Sequence, residues 1–190
     1  MELKDRFKEK EVLINALLPQ RLVEHDQQMA GDIAEQGELV QFANGDTIIE
    51  QGGYDQDVFF IIAGEVSLLV HGNQFPYTRK AGISIGEMSA LDATQPRSAT
   101  VKALTETVTL KLTATAFNQL ADKYPKIHRL LAVDLSQRLN QRNELIEKQN
   151  EKPKLFIIST VESLDIARDI KAQLDYDDVE VTIWNDTSVF

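Results

Sequence analysis

Between Ile85 and Val101 the chain reads Ile85-Gly86-Glu87-Met88-Ser89-Ala90-Leu91 and, after a short gap, Gln95-Pro96-Arg97-Ser98-Ala99-Thr100-Val101. These residue types suit a small anion. Gly86 lets the backbone come close to a ligand. Glu87 to Leu91 is one predicted helical turn lying between strands, and the free N–H groups at the start of such a turn favour negative charge. Arg97 can fork two hydrogen bonds onto phosphate oxygens. Ser98 adds a hydroxyl and a backbone N–H. Glu87 would repel an anion unless it faces something else, and a ribose hydroxyl, which donates to a carboxylate, fits that place. The alternative is that Glu87 merely starts the turn and pairs with Arg97 on the surface, with nothing bound.

The elements around this stretch change period twice. Glu11 to Gln36 is helical in pattern, with Val12, Leu13, Ala16 and Leu17 in helical phase and Pro19 breaking the run. From Leu39 short β-rich runs follow: Leu39–Phe42, Thr47–Glu50, Val58–Ala63, Glu65–Val70, Tyr77–Lys80, Thr100–Ala103 and Thr107–Leu112. Turn signals such as Asn44-Gly45-Asp46 and Gly52-Gly53 separate them. Short strands at this spacing predict an antiparallel barrel or sandwich. Helical period returns at Thr115. Ile127, Leu131, Leu135 and Leu139 then form a stripe on a helix expected over about 126–150, read as core, with a partner surface as the alternative. Residues 151–154 read as a linker containing Pro153. Beyond it Lys154–Ser159, Leu164–Leu174 and Val179–Trp184 read as strand, helix and strand, a βαβ unit with parallel strands.

The 190 residues suffice for one domain plus part of another. A formal net charge of −10 repels nucleic-acid phosphates, so no nucleic-acid partner is expected. Cysteine is absent, which excludes disulfides and thiolate metal sites. The three histidines are scattered, and no metal site is expected. The charged N-terminus does not resemble a signal peptide and no run approaches a membrane span, so a cytoplasmic protein without membrane contact is expected.

The stretch from Ile85 to Val101 resembles the phosphate-binding cassette of the cyclic-nucleotide-binding domain, shared by catabolite activator proteins, kinase regulatory subunits and cyclic-nucleotide-gated channels. Gly45-Asp46-Thr47-Ile48-Ile49-Glu50-Gln51-Gly52 and Val58-Phe59-Phe60-Ile61-Ile62-Ala63-Gly64-Glu65-Val66 fit the same family. The resemblance implies an α+β fold: an antiparallel jelly-roll barrel over about 39–113 with flanking helices, in a domain spanning 1–150. It implies that Arg97 pairs with the cyclic phosphate and Glu87 accepts from the ribose 2′-hydroxyl. Gly86, Met88, Ser98 and Ala99 would line the site, with Ser89 a weaker candidate, and Ile85 and Leu91 would be core. Ser98 stands where many members have alanine. The base would lie against the helix after the barrel, where Arg138 and Arg142 are the weaker candidates. Those residues leave purine and pyrimidine open.

Leu155-Phe156-Ile157-Ile158-Ser159, Leu164-Asp165-Ile166-Ala167 and Val179-Glu180-Val181-Thr182-Ile183-Trp184 resemble the start of a flavodoxin-like TIR domain, cut short at Phe190. The first βαβ unit of any other flavodoxin-like fold remains open on these residues. Together the two parts resemble the TIR effectors of the Pycsar antiphage system. That resemblance implies a homo-oligomeric sensor of a cyclic pyrimidine, cyclic UMP, made by a cognate cyclase. The full-length protein would cleave NAD⁺, and no catalytic residue falls within this chain. The rival is a cyclic-AMP sensor that regulates transcription or another effector.

Overall fold

The computed structural model describes residues 2–149, 153–174 and 179–184, with side chains to residue 143 in the longest helix. The expected linker falls partly outside the described residues, as does Phe190. The chain divides into two compact units, Met1–Val133 and Asp134–Phe190.

In the first unit a 3-10 turn (Leu3–Phe7) precedes α1 (Lys10–Leu17) and α2 (Gln27–Gln36). The helical pattern over 11–36 is thus two helices. Pro19 cannot continue α1, and Glu24 and His25, both at positive φ, turn the chain before α2. Asp26 caps α2, accepting from Met29 N at 2.9 Å, and pairs with Lys126 at 2.9 Å. Its carboxyl is held below the ordinary aspartate range, chiefly by the Met29 N–H and then by Lys126. Because the folded value lies below the unfolded one, the cap's charge contributes stability above the unfolded pKa and loses it as pH falls through the folded one. Asp26→Ala is therefore expected to cost about 1 kcal/mol at neutral pH. Thermal unfolding of both proteins near pH 2 should show that difference shrinking.

Two antiparallel sheets follow. The first has the order β1 (Glu38–Phe42), β9 (Thr107–Leu112), β3 (Val58–Ala63), β7 (Ser84–Ile85). The second runs β2 (Thr47–Ile49), β8 (Thr100–Ala103), β4 (Glu65–Val70), β5 (Asn73–Gln74), with β6 (Arg79–Lys80) also paired to β4. The predicted strand Tyr77–Lys80 shortens to its last two residues. β5 and β7 are additional, each only two residues long.

β3 explains why its sequence is apolar without alternation. Val58, Phe60 and Ile62 face the helices and pack with Leu17, Met29, Ile33, Phe117, Leu120 and Ile127. Phe59 and Ile61 face the barrel interior with Ile49, Val66, Ile85 and Val101. Both faces are covered, so every position except Ala63 is buried. The chain switches sheets at Gly64, between β3 and β4.

Helix α4 (Ala114–Lys123) is capped by Thr113, whose side chain accepts from Ala116 N. It lays Phe117, Leu120 and Ala121 on the four-stranded sheet's helical core. Helix α5 runs from Lys126 to Gln149. Its stripe is core only at the start: Ile127 and Leu131 are buried, Leu135 is half-buried and Leu139 is 57% exposed. The reading of the whole stripe as core is corrected at Leu139, where helical period persists without cover.

In the second unit β10 (Lys154–Ile157) and β11 (Glu180–Ile183) pair in parallel, joined through a 3-10 turn and α6 (Leu164–Leu174). The βαβ unit predicted from the sequence is present. The described residues include no further strand in this sheet.

Candidate ligand-binding site

The cassette is built where β7 ends. Gly86 follows Ile85 at φ +92° and starts the short helix α3 (Glu87–Leu91). A Cβ at Gly86 would lie 2.6 Å from the Asp57 carbonyl and 2.7 Å from Arg97 Nη1, so only glycine fits this corner. The close approach at Gly86 in this structure is to the Asp57 carbonyl and the protein's own Arg97 guanidinium.

Arg97 is 3% exposed. Its backbone is bridged to the turn at Gly52-Gly53: Arg97 N donates to Gly53 O at 2.8 Å and Gly52 N to Arg97 O at 2.9 Å. Its side chain donates from Nη1 to Gly86 O at 2.8 Å and from Nη2 to Asp57 O at 2.7 Å. Nε donates to Asp55 Oδ2 at 3.0 Å, and Nη2 pairs with the same carboxylate oxygen. Asp55 is half exposed, so a fully sequestered cation meets water through a carboxylate at the rim. Asp57 is fixed in turn, since Lys111 of β9 pairs with its carboxylate at 2.8 Å. That contact holds the lysine above its ordinary range.

Glu87 is 1% exposed and accepts from Ser84 Oγ at 2.5 Å. The surface pair of Glu87 with Arg97 is thus not what forms. Both side chains are buried, and Arg97 pairs instead with Asp55. Two charges taken out of water need compensating partners, and burying them carries a cost that a purely structural cassette would avoid.

The remaining expected residues fall into two groups. Ser98 is exposed, Ala99 and Thr100 are half-buried, and Thr100 Oγ1 accepts from Gln51 N at 3.0 Å. Met88 is 49% exposed, while Ser89 is buried on α3. Ile85 is core as expected, but Leu91 is 43% exposed and is corrected: α3 stops at Leu91, past the position that faces the core. Arg138 and Arg142 lie beyond Val133 in the second unit. Arg138 pairs with Asp134 one turn earlier at 2.6 Å.

Asp55 and Ser84 were not foreseen. Asp55 sits in a loop with no periodic signal, and only its juxtaposition with Arg97 reveals it. Ser84 occupies a two-residue strand, too short to show alternation.

This geometry and this fold define a class. Residues 39–124 match the family model of the cyclic nucleotide-binding domain, and the chain carries that domain. Over most of its length the chain is also similar to Pycsar effector proteins. It is 37% identical to Pycsar effector protein BcPycTIR of Burkholderia cepacia over 93% of this chain and 58% of the relative. It is 39% identical to PaPycTIR of Pseudomonas aeruginosa over 91% of this chain and 56% of the relative. The chain thus spans little more than half the length of these relatives. Its fold is similar to the Thermus thermophilus catabolite activator protein, with a TM-score of 0.59 at 22% identity, covering 69% of this chain and 63% of that one. Among the described residues no helix is long and apolar enough to cross a membrane.

Proposed function

We propose that the chain is the sensor part of a cyclic-nucleotide-activated antiphage effector. One observation carries the binding site: Arg97 and Glu87, both buried, flank a glycine that closes directly onto the guanidinium. In this reading Arg97 pairs with the cyclic phosphate and Glu87 accepts from the ribose 2′-hydroxyl. Gly86, Met88, Ser98 and Ala99 line the same ligand, with Ser89, Arg138 and Arg142 in lesser parts. The ligand is cyclic UMP, supplied by a cognate cyclase. The sensor domain extends to about residue 150, and the βαβ unit after it opens a TIR domain that cleaves NAD⁺ in a homo-oligomer of the full-length protein. The similarity to Pycsar effectors supports this, as does the parallel pairing of β10 and β11, which a helix-turn-helix regulator would not contain.

Ligand binding can switch the effector only if the active arrangement binds more tightly than the resting one. Helix α5 enters both units and is the proposed carrier. Hydrogen exchange with and without ligand should change along it, and unchanged protection would remove it from the mechanism.

The deciding measurement is calorimetric titration with cyclic UMP, cyclic CMP, cyclic AMP and cyclic GMP. Selective binding of cyclic UMP, followed by cyclic-UMP-dependent loss of NAD⁺ with the full-length protein, is expected. Selective binding of cyclic AMP would return the domain to an ordinary second-messenger sensor.

A further inference from the structure

The acceptors around Arg97 differ in how firmly they are held. Nη1 and Nη2 each donate to a backbone carbonyl, Gly86 O at 2.8 Å and Asp57 O at 2.7 Å. Gly86 is fixed in its left-handed corner, and the Asp57 carboxylate is paired with Lys111 of β9 at 2.8 Å. Neither carbonyl can leave without moving the corner or the strand end that carries it.

The third acceptor is held differently. Asp55 Oδ2 takes the Nε–H at 3.0 Å and also an Nη2–H. Nε and Nη2 form the side edge of the guanidinium, whose two parallel N–H groups fit a carboxylate or a phosphate alike. The Asp55 side chain is 50% exposed, whereas that of Arg97 is 2% exposed. The carboxylate can turn out into water at little cost, while the guanidinium stays where it is. It also has a second cation within electrostatic reach. Lys111 is held above its ordinary range first by its contact with Asp57 and, more weakly, by the charge of Asp55. Gly53 leaves the room the carboxylate uses, since a Cβ there would lie 3.2 Å from Asp55 Oδ1 and 3.7 Å from Arg97 Cγ.

We infer that Asp55 is a built-in competitor for the phosphate of the ligand, and that binding exchanges one oxyanion for another on the side edge of Arg97. This rests on the cyclic-nucleotide reading of the cassette. Phosphate gains two charge-assisted hydrogen bonds there only as the carboxylate gives them up. The apparent affinity is then lower than the site would show with that edge open, because the competent arrangement is only fractionally populated. Asp55 thereby raises the nucleotide concentration at which the sensor fills. The exchange concerns the phosphate, which every cyclic mononucleotide carries, so its effect does not depend on the base.

The test is titration of wild-type chain, Asp55→Asn and Asp55→Ala with cyclic UMP, cyclic CMP, cyclic AMP and cyclic GMP at one salt concentration, alongside thermal unfolding of each protein. Both variants should bind roughly two- to tenfold more tightly than wild type, by the same factor for each nucleotide that wild type binds. Folded variants that bind more weakly would overturn the inference, because Asp55 would then be holding Arg97 in place for the ligand. Unchanged affinity would overturn it too, since carboxylate and phosphate would not be competing. A second measurement needs no variant. The coupling across the hydrogen bond between Arg97 Nε and the Asp55 carboxyl carbon, read by nuclear magnetic resonance on wild type, should vanish at ligand saturation, and its persistence would overturn the exchange. Silence of wild type and both variants towards all four nucleotides would overturn the cyclic-nucleotide reading itself, and the inference with it.

Discussion

Arg97→Ala should weaken cyclic-nucleotide binding by about 1.5–3 kcal/mol, the usual worth of a charge-assisted hydrogen bond. In dissociation constants that is a loss of roughly 10- to 150-fold. The same substitution should lower stability. It leaves the Gly86 and Asp57 carbonyls without the donors that Arg97 supplies at 2.8 and 2.7 Å. Each orphaned buried acceptor costs about 1–3 kcal/mol. The Asp55 contact adds little to that sum, because its carboxylate is half in water. Arg97→Lys separates the two effects. Lysine keeps the charge but cannot serve both carbonyls and a phosphate from one planar fork, so its binding should fall between wild type and alanine. A folded alanine variant with wild-type affinity would place the ligand somewhere else.

Gly86→Ala should be as damaging through a different route. At φ +92° any L-residue is strained by about 1–2 kcal/mol. The methyl group would also press on the Asp57 carbonyl and on Arg97 Nη1. We expect a total loss of stability of about 2–4 kcal/mol together with weakened ligand binding, since the displaced guanidinium is the phosphate partner. Gly45→Ala is the control. Gly45 has nearly the same φ, +91°, but nothing within 4 Å of its would-be Cβ. Its thermal unfolding should report the backbone strain alone. Equal effects of the two substitutions would mean that the close approach to Arg97 carries no weight.

The sequence made the long elements legible and the short ones not. Val58–Ala63, Glu65–Val70, Thr100–Ala103 and Thr107–Leu112 form with the bounds the sequence predicts, because each is long enough to show composition or alternation. The ladders at Asn73–Gln74 and Ser84–Ile85 contain two residues each and offer no period to detect. In the cassette, Glu87 and Arg97 were identified by residue type and spacing. Their relationship was not legible, since the partner of Arg97 is Asp55, distant in sequence and placed by the turn at Gly52-Gly53. Arg79 on β6 is buried while its neighbour Lys80 is exposed, and the pairing of Arg79 with buried Val66 of β4, which sets that face, is not visible in the sequence. Leu139 shows the reverse error, because a helical stripe specifies a face of the helix without specifying what covers it.

Strand β3 has a consequence for anyone assembling chimeras from this chain and its relatives. Its odd positions, Phe59 and Ile61, belong to the barrel interior, and its even positions, Val58, Phe60 and Ile62, belong to the helical layer. Asp57, immediately before it, holds Arg97, and β7, paired along it, delivers Gly86. A cassette grafted without this strand would meet a foreign wall on one side. A helical layer grafted without it would meet one on the other. The smallest transplantable sensor is therefore the cassette, β3 and the helices behind it, moved as one piece.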